Sequence, residues 1–425
     1  MSVIQSGAAA PHSTTQSAKR APYGGHVLKC GAVAPLWTSR IRLAKGHMPQ
    51  QWRNRGLTFR YMHVFSENPF AQLSTALDGM SVRIEIRQAP MQNLSFDDRG
   101  CFIAGQAKSG TTLLVALLDG HPELLVFPQD TAYFATAVTK YESRGRPAQF
   151  DYLTKQSWSK VLFGNEKRKR KHDYSDFPHQ KFLQTFEQVA FDPANAHRDL
   201  LVLMIESYAK VFGIPLEKIK RWVEKTPANR NYVGKIFARF PQAKLLVTMR
   251  DPRALLAAQI HLEKTRKTGR FSTYYVISHW RTTANLARRI RAGETPGFVV
   301  PYEQLVADPA PMMQQICDYL DISYDPEIVL RPTKVGRLWV GNSSVPGVEF
   351  SQISTEPVTR WHRELSVDEI GWVEWHCRDL MREFGYEPRQ QRRSLRHWIK
   401  PVTGERPHQF LKSRVYSLRD DLLKR

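Results

Sequence analysis

Acidic residues are missing from the start of this 425-residue chain, in which no Asp or Glu occurs before Glu67. The same stretch carries Lys19, Arg20, Lys29, Arg40, Arg42, Lys45, Arg53, Arg55 and Arg60, is rich in small residues and Gln, and shows little periodicity. Such a segment cannot offset its ordering entropy by burial. Residues 1–98 are therefore expected to form a basic, poorly ordered extension, and their composition also resembles an organellar transit segment. Cysteine is scarce as well. Cys30, Cys101, Cys317 and Cys377 are scattered. They form no CxxC or metal-type spacing, which excludes a disulfide scaffold, argues against structural zinc and points to a reducing, cytoplasmic compartment. Long apolar runs are lacking, so neither a transmembrane helix nor the apolar core of a secretory signal is expected.

Positive charge, by contrast, is abundant. Lys and Arg number 62 against 40 Asp and Glu, a formal net charge of +22. That balance attracts anions: nucleotide phosphates, acidic glycans, anionic lipid or nucleic acid. Charge alone does not choose among them. The length suffices for a full α/β core, as one large domain with extensions or as two domains.

From Gly100 onward the pattern becomes that of a folded domain. Cys101–Gly105, Leu124–Pro128, Arg221–Pro227, Ala243–Arg250 and Phe298–Leu305 read as short, mostly apolar strands. Helices are expected over Thr111–Gly120, Ala254–Lys267, Ser272–Gly293 and Pro309–Leu320, and after the capping box Ser366–Glu369. Strands alternating with helices predict an α/β fold, a three-layer α/β/α sandwich on a mostly parallel, P-loop-like nucleotide-binding sheet. The domain is expected over 99–388, followed by a basic C-terminal tail over 389–425. Leu411, Val415, Leu418 and Leu422 fall at helical spacing in that tail. A further basic tract, Glu166–His172, reads as a solvated loop.

One turn carries chemistry. Strand, Gly-rich turn and helix is the arrangement that cradles phosphates, because turn amides and the positive helix N-terminus face the anion. Here the turn reads GQAKSGTT over Gly105–Thr112. Gly105 and Gly110 permit close backbone approach, Lys108 adds charge, and Ser109, Thr111 and Thr112 add hydroxyls. An ordinary βα turn would look similar. A Walker loop places its Lys after the second Gly; here Lys108 precedes Gly110, which weighs against a magnesium-ATP kinase.

The order GxxKSGTT resembles the 5′-phosphosulfate loop of the sulfotransferases that use 3′-phosphoadenosine 5′-phosphosulfate (PAPS), in particular the bacterial, glycan and tyrosyl-protein type. Gly120–Phe134, Val223–His261, Phe298–Pro309, Trp339–Ser344 and Arg360–Pro388 are similar to later family blocks in the same order. The resemblance implies transfer of a sulfuryl group from PAPS to an acceptor hydroxyl on a glycan, lipid, metabolite or protein, with no metal expected. It implies that Lys108 contacts the phosphosulfate, that Gly110, Thr111 and Thr112 bind the 5′-phosphate, and that Arg250 binds the 3′-phosphate. The family's usual Ser eight residues beyond that Arg is replaced by Ala258. Relatives carry Glu where this chain has Asp130, which makes Asp130 the expected base; Asp130 would equally suit an N-cap near Thr131. Glu224 and Lys225 are expected at the acceptor cleft, with Lys225 neutralising sulfuryl oxygens, and either could instead form a structural pair. Arg250 could pair with Asp251. His121 is expected to be structural. Arg337, Gly341 and Asn342 lie in a Gly-containing loop that would close over the nucleotide. The basic tail is expected to contact anionic membrane peripherally, and no nucleic acid is expected as partner. The rival readings are another P-loop enzyme, such as a nucleotide kinase, and a non-enzymatic protein that binds anionic surfaces.

Overall fold

A computed structural model describes residues 94–165, 174–266, 271–339, 341, 353–389, 402 and 405–422, together with three short strands nearer the N-terminus. Those three, Ser39–Arg42, Met62–Val64 and Arg83–Glu85, pair antiparallel with the first of them in the middle. They belong to a unit spanning Met1–Gln88, separate from the unit Ala89–Arg425. The expected extension is thus shorter than residues 1–98. Leu94 is buried, the Phe96 carbonyl accepts the Trp222 indole N–H at 2.8 Å, and Asp97 pairs with Arg198 at 2.6 Å. These contacts attach residues 94–98 to the larger unit.

That unit is built on five parallel strands: β1 (Gly100–Gly105), β2 (Leu124–Val126), β3 (Arg221–Lys225), β4 (Lys244–Met249) and β5 (Phe298–Pro301). Their spatial order is β2-β3-β1-β4-β5. Side chains alternate across a strand, and both faces are covered. Phe102, Ala104, Trp222, Leu245 and Val247 pack into one apolar layer, and Cys101, Ile103, Val223 and Leu246 into the opposite one. This double burial is why the strands read as continuous apolar runs. The expected three-layer architecture is the one observed.

Helix α1 (Thr111–Leu118) follows β1. Helices α2 (His179–Phe191) and α3 (Leu200–Phe212) were not anticipated. Next come α4 (Val233–Arg239), α5 (Pro252–Arg266) and α6 (Thr273–Arg291). The Phe298–Leu305 run is a strand only as far as Pro301, and then turns into α7 (Tyr302–Ala307). Pro301 lacks an N–H and sits at the cap, where the ladder ends. Helix α8 (Pro309–Leu320) follows, then α9 (Val367–Glu383), which opens on the predicted capping box: the Glu369 amide donates to Ser366 Oγ and Glu369 accepts the Ser366 amide. The chain closes with α10 (Pro407–Leu422). This last helix is no free tail, because Ser413 and Arg414 are buried against the domain. The basic tract 166–172 lies outside the described residues.

One buried ion network joins the turn after β4 to α9. Arg253 donates to both Asp251 oxygens and to Glu374 at 2.8 Å, with the Trp361 ring 4.1 Å from its guanidinium. Glu374 is fully buried. Removing one partner of such a network strands the other charges in low dielectric. Arg253→Met is therefore expected to cost about 3–5 kcal/mol of stability. Urea denaturation measures it, and a loss under about 1 kcal/mol would show that the network is solvated and unimportant.

Candidate active site

The C-terminal ends of β1, β3 and β4 bring the predicted residues to one edge of the sheet, where ligands gather in open α/β folds. Parallel register sets Lys225 beside Ile103 and Thr248 beside Gly105. Arg250 lies two residues past Thr248.

At the loop itself the backbone takes left-handed dihedrals at Lys108 (φ 78°) and Gly110 (φ 97°). Glycine is required at 110 for a second reason: a Cβ there would run into the Tyr302 ring. Gly110 occupies the N-cap of α1, and no side chain caps that helix. The first-turn amides of a helix have no partner within it. Here they stand at the positive end of a helix dipole beside a lysine, a concavity suited to an anion. Thr111 is buried and Thr112 half-buried on this turn. Ser109 behaves differently from its expected ligand role. Its hydroxyl donates to the Gln106 carbonyl at 2.6 Å and lies 2.6 Å from the Thr248 hydroxyl, so it braces the loop against β4.

Arg250 reaches the same loop. Its guanidinium donates to the carbonyls of Lys108 at 2.7 Å and Pro357 at 2.6 Å and lies 4.4 Å from the Tyr302 ring centre. Asp251 is committed to Arg253, so the alternative ion pair between Arg250 and Asp251 does not form. Tyr302 therefore touches both the Gly110 turn and Arg250, a linking role that sequence reading missed. Its only signal was an aromatic directly after a C-terminal strand.

On the other side of β1, Lys225 pairs with Asp130. Asp130 is not a helix cap: the helical turn Tyr133–Tyr141 is preceded by Ala132 in a left-handed conformation (φ 51°) with no side-chain cap. What positions the pair is Glu224. This carboxylate is buried, accepts from the hydroxyls of Thr131 (2.7 Å) and Thr226 (2.6 Å) and from the Asn229 amide (2.8 Å), and so ties the turn after β2 to the turn after β3. Burial pushes its carboxyl above the usual range, opposed by these hydrogen bonds. Glu224 is thus a structural clamp and does not line a cleft, correcting the expectation for that residue.

Arg230 was not anticipated either. It is 6% exposed, donates to the carbonyls of Gly105 (2.8 Å) and Pro227 (2.9 Å), and no carboxylate pairs with it among the described residues. Its Nε is buried without a partner, as are Gln106 Oε1, Asn229 Oδ1 and Arg250 Nε. Four buried polar atoms without a partner thus gather at this edge of the sheet, two guanidinium donors and two amide acceptors, each a place where a polar ligand could supply the missing bond. Nearby His279 is held neutral, its pKa lowered to about 3 by burial and by Arg230. An unfolded histidine titrates near 6.5, so between pH ~6.5 and about 3 the unfolded chain binds the extra proton. Stability is expected to fall as pH drops through that window. A His279→Gln variant followed by thermal melts from pH 7 to 4 should lose part of that slope; an unchanged slope would refute the assignment.

The remaining sites fall elsewhere. His121 has both ring nitrogens engaged, one 2.9 Å from the Ser323 carbonyl and the other accepting the Glu123 amide, the structural role expected of it. Arg337 stands in a short hairpin (Thr333–Lys334 with Arg337–Leu338) and pairs with Asp176 at the surface. Asp119, at the C-terminal end of α1, holds this hairpin through Thr333 and Gly336. An eight-residue helix spans about 12 Å, so the hairpin is tied to the end of α1 remote from the Gly-rich loop, and the structure does not bring Arg337 to that loop. Gly341 is described only as a left-handed glycine (φ 82°), and Asn342 lies outside the described residues. Among the described residues, no three His, Cys, Asp or Glu are grouped to hold a metal ion.

A parallel sheet with an uncapped, lysine-bearing Gly-rich turn and two nearby arginines defines an enzyme that handles an anionic, phosphate-bearing substrate. Comparison with known proteins specifies it further. Residues 101–326 match the model of the sulfotransferase family, more than half of the chain, and the protein belongs to that family. Protein-tyrosine sulfotransferase 2 of Gallus gallus is 23% identical over 321 residues, 73% of this chain and 75% of the relative. Protein-tyrosine sulfotransferase A of Caenorhabditis elegans is 23% identical over 302 residues, 68% of this chain and 67% of the relative. Among solved structures, the sulfotransferase domain from the Synechococcus PCC 7002 olefin synthase gives a TM-score of 0.43 at 19% identity, covering 71% of this chain and 99% of that one. The protein is accordingly a transferase that moves a sulfuryl group, with PAPS the donor its family implies.

Proposed function

We propose that Lys108, the α1 N-terminal turn and Arg250 hold PAPS, and that Asp130 and Lys225 serve the acceptor hydroxyl. The observation that carries this reading is the hydrogen bond from the Arg250 guanidinium to the Lys108 carbonyl, which joins the two residues of the implied donor site. Amides and hydroxyls of Gly110, Thr111 and Thr112 would bind the 5′-phosphate, with Gly105 leaving room and Ser109 bracing the loop. Arg250 would hold the 3′-phosphate. Ala258 is buried in α5, so that phosphate lacks the hydroxyl usual in the family, about one hydrogen bond's worth of affinity. The acceptor oxygen attacks sulfur as its proton passes to Asp130; the bond from sulfur to the bridging oxygen breaks, and Lys108 stabilises the charge left on the departing phosphate. Lys225 neutralises sulfuryl oxygens and holds Asp130 by direct contact.

The acceptor group is a hydroxyl. The free, buried thiols of Cys101, Cys317 and Cys377 support a reducing, cytoplasmic setting. No helix among the described residues is long and apolar enough to cross a membrane.

The test is calorimetric titration with adenosine 3′,5′-bisphosphate, combined with transfer of labelled sulfate from PAPS to a panel of glycan, lipid, phenol and peptide hydroxyls. Nucleotide binding that weakens at least tenfold in Arg250→Ala, and transfer that survives a chelator, are expected. Chelator-sensitive ATP turnover without PAPS binding would overturn the reading.

A further inference from the structure

Helix α10 is amphipathic in the wrong sense for its position. A surface helix ordinarily turns its apolar row inward. Here the inward face is mixed and its most buried residues are polar, with the half-buried Phe410 ring 4.3 Å from the Arg414 guanidinium. Ser413 is 0% and Arg414 3% exposed. Ser413 Oγ donates to Glu405 at 2.6 Å and lies 3.0 Å from the Ser272 hydroxyl, while Glu405 also accepts from the Thr273 amide at 3.0 Å and its hydroxyl at 2.9 Å. The Arg414 guanidinium lies 3.5 Å from the centre of the Trp372 ring. A polar network thus fastens α10 to the start of α6 and to α9. The outward face is apolar, with Leu411 65% and Val415 54% exposed. At about 3.6 residues per turn, positions 418 and 422, both Leu, continue the same row of this helix, which runs to Leu422.

Such a row needs a cover, and the described residues leave Leu411 and Val415 exposed. The local charge says which. From Arg389 to the C-terminus there are eleven Lys or Arg and three Asp or Glu, a balance of +8. Positions 412 (Lys) and 419 (Arg) flank the apolar row by helical register. An apolar row bordered by cations in a strongly basic segment fits the surface of an anionic bilayer, where leucines enter the acyl boundary and cations meet the headgroups. Nucleic acid would satisfy the charge but has no use for exposed leucines.

We propose that the outward face of α10 docks this enzyme on anionic membrane. The helix that α10 is fastened to also reaches the candidate active site: α6 carries Tyr275, 59% exposed, and its Val276 carbonyl accepts the side-chain amide of Gln106 in the Gly-rich loop at 3.0 Å. Docking through α10 would therefore hold the loop edge of the sheet close to the lipid surface. This inference does not depend on the roles assigned to Lys108 or Asp130.

Flotation of the full chain with vesicles decides it. Wild type is expected to float with phosphatidylcholine vesicles containing 30 mol% phosphatidylserine (~30%, a cytoplasmic-leaflet-like charge), and at least about tenfold less with pure phosphatidylcholine or in ~1 M salt. Leu411→Glu/Val415→Glu is expected to reduce binding to the anionic vesicles at least tenfold, with unchanged melting temperature and unchanged affinity for adenosine 3′,5′-bisphosphate. Lys412→Glu should weaken binding in the same direction and lessen its salt dependence. Wild type that stays in solution with anionic vesicles would overturn the proposal. So would a double variant that floats normally, or one whose defect is the dissociation of a dimer seen by light scattering.

Discussion

Lys108→Gly is expected to cut sulfuryl transfer by at least about 10²–10³-fold, the usual loss when one preorganised charge-stabilising donor is removed. Protein stability should hold or rise slightly. The reason for choosing glycine is the backbone. Lys108 holds a left-handed conformation at φ 78°, which costs an L-residue energy and glycine almost none. A side chain that served only the fold would leave a less stable protein on removal; one kept for chemistry at a strained position should leave an inactive protein of equal or greater stability. Binding of adenosine 3′,5′-bisphosphate should weaken much less than turnover, because Gly110, Thr111 and Thr112 still offer their amides. Single-turnover kinetics beside a thermal melt make the measurement. Near-normal turnover in Lys108→Gly, or a large fall in melting temperature, would remove Lys108 from the mechanism.

The second large effect concerns Asp130 and Lys225. Asp130→Asn is expected to lower kcat by about 10²–10⁴-fold, the range for loss of a general base, with little change in donor affinity. Lys225→Met should also lower kcat, because it both neutralises the acceptor side and holds Asp130 by direct contact. Residues that act as one unit give non-additive losses. The double variant should accordingly be little worse than Asp130→Asn. The contrary outcome is informative. If the pair were only a structural link, Asp130→Asn would reduce stability and leave kcat nearly intact, and base catalysis would belong to another group. Glu224→Gln provides a control, since it disturbs the clamp on Thr131, Thr226 and Asn229 without touching the proposed base. It should loosen the geometry of the pair and lower kcat less than Asp130→Asn does.

Parts of this structure were legible because their causes are local. The strand over 243–250 reads from a run of apolar residues, since a parallel strand is buried on both sides. The capping box at Ser366 reads from two residues three apart, because both hydrogen bonds form within one turn. The Gly-rich turn reads from its glycines, which the left-handed dihedral and the nearby Tyr302 ring require. Other parts had no local cause. Helices α2 and α3 left no mark strong enough to be anticipated between 134 and 221. Glu224 looked like a cleft residue, since a charged group at a strand end ordinarily meets solvent; only the folding of two turns around it makes it a buried clamp. Arg337 looked like part of a closing loop until Asp119 was seen to anchor its hairpin at the far end of α1.

The order of residues by itself determined the layered fold and the Gly-rich turn, and its resemblance to sulfotransferase motifs implied the class of transfer. The fold and the turn depend on contacts between near neighbours in the chain or on the average burial of a segment. Tertiary structure alone decided which charges are neutralised and which remain available. Arg253 and Arg250 stand three apart in one motif, yet Arg253 is consumed by Asp251 and Glu374, whereas Arg250 is held by two carbonyls and the Tyr302 ring. It likewise turned Leu411 and Val415 of the last helix outward while burying Ser413 and Arg414. Electrostatic partners are selected by proximity in space, and in this chain that proximity joins residues more than a hundred positions apart, as with Arg253 and Glu374.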